Sequence, residues 1–157
     1  MSVRTSESYT SFVRVQGDRV RLALIASFGP DLGAEATSEA FAYGWQHWDR
    51  VSGMENPTGY LYSIGRNWVR RHVRRRRELP PVQHAQGGSE LWVEPGLPSA
   101  LGALSSKQRS AVILVHGYGW TLEEASGVLG VGRSTVQKHV NRGLARLRGS
   151  LGVSDVG

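Results

Sequence analysis

Apolar residues recur along the first third of the chain at helical intervals. Phe12, Val15, Val20 and Leu24 fall roughly on one face, and Gly29-Pro30 ends the stretch. A second helical pattern runs from about Asp31 to Val51, with Phe41, Trp45 and Trp48 in register. Ser52-Gly53-Met54-Glu55 has the composition of a loop. Asn56-Pro57 then reads as an N-cap followed by proline at the first helical position. A third long helix is predicted from Pro57 to about Arg77, with Leu61, Ile64, Trp68 and Val69 as its inner face. No segment alternates polar and apolar residues as a half-buried strand would.

The C-terminal part is punctuated more sharply. Ser105-Ser106-Lys107-Gln108 is a capping box, followed by apolar Ala111, Val112, Leu114 and Val115 and ending at Gly117. Thr121-Leu122-Glu123-Glu124 is a second box and opens a short helix that stops at Gly130. Ser134-Thr135-Val136-Gln137 reads as a third, opening a helix to about Arg148. A short helix, a tight turn and a longer helix make a helix-turn-helix. In such a pair the second helix enters the major groove, N-terminal residues first. Val136, Val140, Leu144 and Leu147 should pack inward, leaving Arg133, Ser134, Thr135, Gln137, Lys138 and Asn141 outward. Gln and Asn suit adenine, Arg and Lys suit guanine, and no acid lies between Arg133 and Arg148.

Charge sharpens this picture. Net charge is +6, and the 19 basic residues are all Arg except two Lys. Residues 1–78 carry +4, residues 79–97 carry −2, and residues 98–157 carry +4. The middle segment holds three Pro and three Gly and has no sustained period, so it reads as a linker. The expected fold is all-α: two small helical domains, 1–78 and 98–152, joined by a flexible linker over 79–97, with the helix-turn-helix in the second. Two basic modules joined by an acidic segment suit one polyanionic partner.

A second basic feature lies at the end of the third helix. Seven of the twelve residues from Arg66 to Arg77 are Arg, with Tyr62 and Trp68 interleaved nearby. Guanidinium groups beside aromatic faces are what a single strand uses for its backbone and bases. Arg66, Asn67 and Tyr60, inside the helix near its loop, are the stronger candidates; the run Arg74–Arg77 also reads as a solvated basic tail.

Other chemistry is poorly supported. The absence of cysteine excludes disulfides and thiolate metal sites within this chain, and the five His are scattered without metal spacing. No cofactor, metal or catalytic residue is expected. The polar N-terminus and the lack of any long apolar run predict no signal peptide and no membrane insertion. The expected location is therefore cytoplasmic, at the nucleoid.

At this point the chain resembles a known family. Leu101, Leu104, Gln108-Arg109, Thr121, Glu124, Leu129-Gly130, Ser134-Thr135-Val136 and Arg142 to Arg148 match the fourth conserved region of bacterial sigma factors. The segment from Asn56 to Arg77 resembles the second region, and the segment from Ala34 to Trp45 the helix that precedes it. Two regions in this order with nothing between them resemble the extracytoplasmic-function group.

The resemblance implies a protein that binds core RNA polymerase, at its clamp and flap, and directs initiation at specific promoters. It implies that the loop from Gly53 to Thr58 and the following helix capture an unstacked base of the melted strand. Asn56, Thr58, Tyr60, Arg66, Asn67, Arg70, Arg71 and Arg74 are the candidates there. Glu35 and Glu39 would dock on polymerase, and an anti-sigma factor would be a further partner. Ala36, Ser38, Tyr60 and Arg70-Arg71 depart from the residues usual in the family. Sigma-type promoter elements lie roughly 16–18 base pairs apart, about 55–60 Å along the duplex. The linker, fully extended, reaches at most about 60–70 Å. The main alternative is a stand-alone helix-turn-helix regulator that binds duplex DNA without polymerase; a protein-interaction module is a third.

Overall fold

The computed structural model describes residues 2–76 and 96–152, with 74–76 as helix backbone. Among the described residues every regular element is helical. The first half comprises α1 (Val3–Phe28), α2 (Pro30–Gln46), the single turn α3 (Trp48–Val51) and α4 (Pro57–Arg76). The second comprises α5 (Leu97–Gly102), α6 (Ser106–Val112), a π-helical turn (Ile113–Gly117), α7 (Leu122–Leu129) and α8 (Arg133–Leu151). Leu97, expected to close the linker, instead opens α5. Gly96 of the proposed linker is the N-cap of that helix, and 79–95 lie outside the described residues.

The expected starts and stops recur where local chemistry sets them. Ser2 caps α1 through its hydroxyl, and Gly29, at φ 88°, separates α1 from α2 with Pro30 at the first helical position. Capping boxes form at Ser105 and Thr121. The third does not: Gly132 is the N-cap of α8, without a side-chain bond, and Ser134 already lies inside the helix. An extended Gly132 supplies the entry geometry two residues earlier than the Ser134 cap would.

Packing redraws the predicted inner faces. Val15 is 68% exposed, and the buried stripe of α1 runs through Tyr9, Gly17, Val20 and Leu24. The predicted helix from Asp31 to Val51 breaks at His47, where φ −122° and ψ 24° leave the helical region. That break rotates Trp48 into the core, 4% exposed, and leaves Trp45 outward at 43%. Tyr9 lies edge-on to both rings and donates its hydroxyl to the Phe41 carbonyl at 2.5 Å. Of the expected face of α4, Leu61 and Val69 are buried while Ile64 and Trp68 are half-buried. Tyr62 and Gly65 complete it.

Helices α1, α2 and α4 meet closely because glycines let them. A Cβ on Gly33 would stand 2.5 Å from the Ile25 Cα, and one on Gly65 would stand 2.7 Å from a Leu24 methyl. The core of this bundle continues into the second half. Val20, Leu24, Leu61 and Val69 belong to the same buried cluster as Ala111, Leu114, Val128, Val136 and Val140. A smaller cluster of Ala100, Leu104, Val112 and Leu147 holds α5 against α8. Helix α1 packs on α6 and α7, and α4 packs on α7.

Candidate nucleic-acid interface

The helix-turn-helix is built from local bonds. The Thr121 hydroxyl accepts from the Glu124 amide at 3.1 Å, and the Glu124 carboxylate accepts from the Thr121 amide at 3.2 Å. Those bonds to Thr121 hold the Glu124 carboxyl below its ordinary value, with Arg19 adding a weaker pull. Gly130, at φ 70°, ends α7 in a left-handed conformation that a side chain would strain. The Ser126 hydroxyl donates to the Val131 carbonyl at 2.5 Å and pins the turn.

Val136, Val140, Gly143 and Leu147 form the inner face of α8. Arg133, Ser134, Gln137, Lys138 and Asn141 are exposed, and Thr135 is half-buried. The predicted reading face is therefore outward along the first two turns. Gln137 Nε2 donates to Asn141 Oδ1 at 2.8 Å, so each orients the other before any base arrives. Further along, Arg146 is occupied: it donates to Gln108 Oε1 at 3.1 Å and to the Ala103 carbonyl at 3.2 Å.

The second surface surrounds the start of α4. Asn56 accepts from the Gly59 amide at 3.0 Å, the predicted cap, and donates from Nδ2 to the Gly127 carbonyl of α7 at 2.6 Å. Thr58 and Tyr60 are half-buried. The Tyr60 hydroxyl lies 3.3 Å from that of Tyr43, a bond that raises the pKa of Tyr60. Arg50 donates to the same Tyr43 hydroxyl and stands over its ring, 5.8 Å from the centroid. Sequence reasoning missed Tyr43 and Arg50. They lie on other helices, and only the break at His47 brings Arg50 back to Tyr43.

Asn67, Arg70 and Arg71 are exposed along α4, and the Arg74 side chain lies outside the described residues. Arg66 stands 5.9 Å from the Tyr62 ring, with its Nε buried and unpartnered among the described residues. One expectation fails here. Tyr62 offers no free face for a base: it is 4% exposed, its hydroxyl lies 2.9 Å from the buried Ser27 hydroxyl, and burial raises its pKa. Trp68 is half-buried and stacks on His72 at 4.7 Å. Glu35 and Glu39, one turn apart on α2, are both exposed. Glu39 borders a cleft of about 200 Å³ shared with Tyr43, Trp68 and Arg71. Among the described residues there is no group of His, Cys, Asp or Glu able to hold a metal ion, and no helix long and apolar enough to cross a membrane.

A helix-turn-helix with an acid-free outer face, on one chain with an arginine-bearing helix beside aromatic rings, defines a DNA-binding transcription protein. Comparison with known proteins narrows the class. Residues 97–147 match the family described as Sigma-70, region 4. An RNA polymerase sigma-E factor of Streptomyces antibioticus is 30% identical over 129 residues, covering 76% of this chain and 69% of the relative. The extracytoplasmic-function sigma factor EcfG of Rhodopseudomonas palustris is 28% identical, covering 86% of this chain and 81% of that protein. Among solved structures, the sigma factor RpoE of Bartonella quintana, crystallised with the anti-sigma factor NepR, matches in fold. Its TM-score is 0.63 at 24% identity, over 94% of this chain and 99% of that one. The chain belongs to the RNA polymerase sigma factors, in their extracytoplasmic-function group.

Proposed function

We propose that this sigma factor reads two promoter elements with two separate surfaces. The first turns of α8 read the upstream element as duplex: Arg133, Gln137, Lys138 and Asn141 at base edges, Ser134 and Thr135 beside them. The loop before α4 and the outer face of that helix hold the melted downstream strand, through Asn56, Thr58, Tyr60, Arg66, Asn67, Arg70, Arg71 and Arg74. Arginine beside aromatic rings is suited to strand capture because a base can stack while the guanidinium neutralises phosphate. Glu35 and Glu39 on α2 dock core polymerase at its clamp, and the second half of the chain faces the flap. The domain limits are 1–78 and 98–152, and the work is done in the cytoplasm at the nucleoid.

An anti-sigma protein is a further partner in this reading. It is suggested by the neighbour solved with one. The chain acts by binding, with no catalytic residue of its own.

The observation that carries the reading is the pair of basic surfaces on one sigma-family chain: the acid-free face of α8 and the arginine-bearing face of α4. Run-off transcription with core polymerase on a genomic library tests it. Transcripts should start downstream of one shared pair of elements and vanish without the protein. Binding of the free chain to a duplex site, with no association with core and no transcripts, would favour the stand-alone regulator instead.

A further inference from the structure

The loop assigned to strand capture is tied across its ends. Arg50 of α3 stands just before it in sequence, Tyr60 of α4 just after it, and Tyr43 of α2 bonds to both. An arginine can only donate, and Arg50 Nη2 donates to the Tyr43 hydroxyl. The Tyr60 hydroxyl lies 3.3 Å from the same group. The rings gather around Tyr43 as well: the Arg50 guanidinium is 5.8 Å from its centroid, the Tyr60 ring 6.2 Å and the His47 ring 4.3 Å. Backbone bonds shape the loop where it leaves α3, from the Gly53 amide to the Arg50 carbonyl at 3.3 Å and from the Met54 amide to the Val51 carbonyl at 3.1 Å. The Asn56 cap shapes it where it enters α4. Tyr43 links the two sides.

Burial does not demand these bonds. Tyr9 and Tyr62 are buried, and their hydroxyls are bonded inside the protein as burial requires. Tyr43 and Tyr60 are only half-buried and Arg50 is exposed, so water can reach this cluster. What the cluster does is order a surface. Three rotatable side chains are held together in the free protein, so their rotamer freedom is lost before a strand arrives rather than on binding. A base that stacks on Tyr60 then meets a ring already held. Arg50 strengthens the arrangement, because a hydrogen bond from a cation is stronger than one between neutral groups.

We propose that Tyr43 is a positioning residue for strand capture. Its hydroxyl, bonded to Arg50 before the loop and to Tyr60 after it, sets the spacing of the loop's two ends and the orientation of the Tyr60 ring. This role rests on the two-surface reading above, which assigns Tyr60 to the melted strand and gives neither Tyr43 nor Arg50 a part. Arg50 acts through Tyr43, and Tyr43 acts through Tyr60.

Tyr43→Phe keeps the ring and removes the hydroxyl. The full chain is assembled with core polymerase on a promoter recovered by run-off transcription, and opening is read from permanganate reactivity of thymines in the downstream element. Association with core, binding to the upstream duplex and melting temperature are measured beside it. Opening should fall about two- to tenfold, the effect of one hydrogen bond, while the other three hold. Arg50→Gln should behave alike, and Arg50→Lys, which keeps a charged donor, should recover most of the loss. Tyr60→Phe should also lower opening, and Tyr43→Phe should add little in that background, since a chain of bonds cut at one link is already open. Full opening by Tyr43→Phe would overturn the proposal. So would an effect that adds in full to that of Tyr60→Phe, or a loss matched by a fall in core association or melting temperature. Tyr60→Ala separates this proposal from the reading beneath it. Impaired opening by Tyr60→Ala with normal opening by Tyr43→Phe removes the positioning role alone; normal opening by Tyr60→Ala takes Tyr60 out of strand capture, and the positioning role falls with it.

Discussion

At the scale of single residues, the outward face of α8 is organised before it meets DNA. Gln137 and Asn141 hold one another through a 2.8 Å bond, so less rotamer freedom is lost when they reach a base pair. Gln137→Ala removes a reader and releases Asn141. It should cost about 1–3 kcal/mol at the promoter and broaden preference at one or two adjacent base pairs. Binding selection on a randomised upstream element measures this, and an unchanged preference would refute the assignment. His139 makes a different prediction. Burial holds its imidazole below the ordinary 6.5, with Lys107 and Arg142 adding like charge. Arg66 and Arg70 of α4 line a small cavity together with Lys107 and His139. A depressed folded-state value means the unfolded chain takes up the proton first. The contribution of His139 to stability is therefore present above pH 6.5 and is lost as pH falls through the folded value. The melting temperature should drop as pH is taken below 6.5, and His139→Gln should flatten part of that drop.

At the scale of elements, close helix approach is decided by small residues whose partners are far away in sequence. Gly33 faces the α1 backbone, so Gly33→Ala forces α1 and α2 apart. Overpacking of this kind costs about 1–3 kcal/mol, which is a fall of about 2–4 °C in melting temperature per kcal/mol at this chain size. Gly127 is the matched control. It is exposed in α7, and a Cβ there meets nothing within 4 Å. Gly127→Ala should therefore raise stability by up to about 1 kcal/mol through helix propensity alone. Thermal denaturation of both variants separates packing from propensity; equal effects would show that the crossing of α1 on α2 is not tight.

At the scale of the whole molecule, the shared core bears on how the protein unfolds. Buried residues of α1 and α4 belong to one cluster with those of α6, α7 and α8, and Arg109 ties the end of α1 to the corner before α6. A core shared in this way couples the two halves. Calorimetry of the free chain should show one cooperative transition, with van't Hoff and calorimetric enthalpies in agreement. Two resolved transitions would mean that the halves melt as independent domains and that the shared core contributes little.

What could be read without the structure was whatever depends on neighbours in the chain. Capping boxes at Ser105 and Thr121, the stop at Gly130, proline at the start of α4 and the inner face of α8 all rest on groups a few residues apart. Even there, Gly132 displaced Ser134 as cap, since extended glycine backbone competes with a serine hydroxyl at nearly equal free energy. Family membership was legible for the same reason, because its motifs are local. What required the tertiary structure depends on groups distant in sequence. Tyr62 has the same composition signal whether it stacks a base or fills a core, and Ser27, 35 residues away, decides for the core. Arg146 reads as one more basic residue until Gln108 and the Ala103 carbonyl are found against it. The contact of Asn56 with Gly127, 71 residues apart, has no local signature. Helical periodicity tells which face is apolar, but it carries no information about which distant face will cover it.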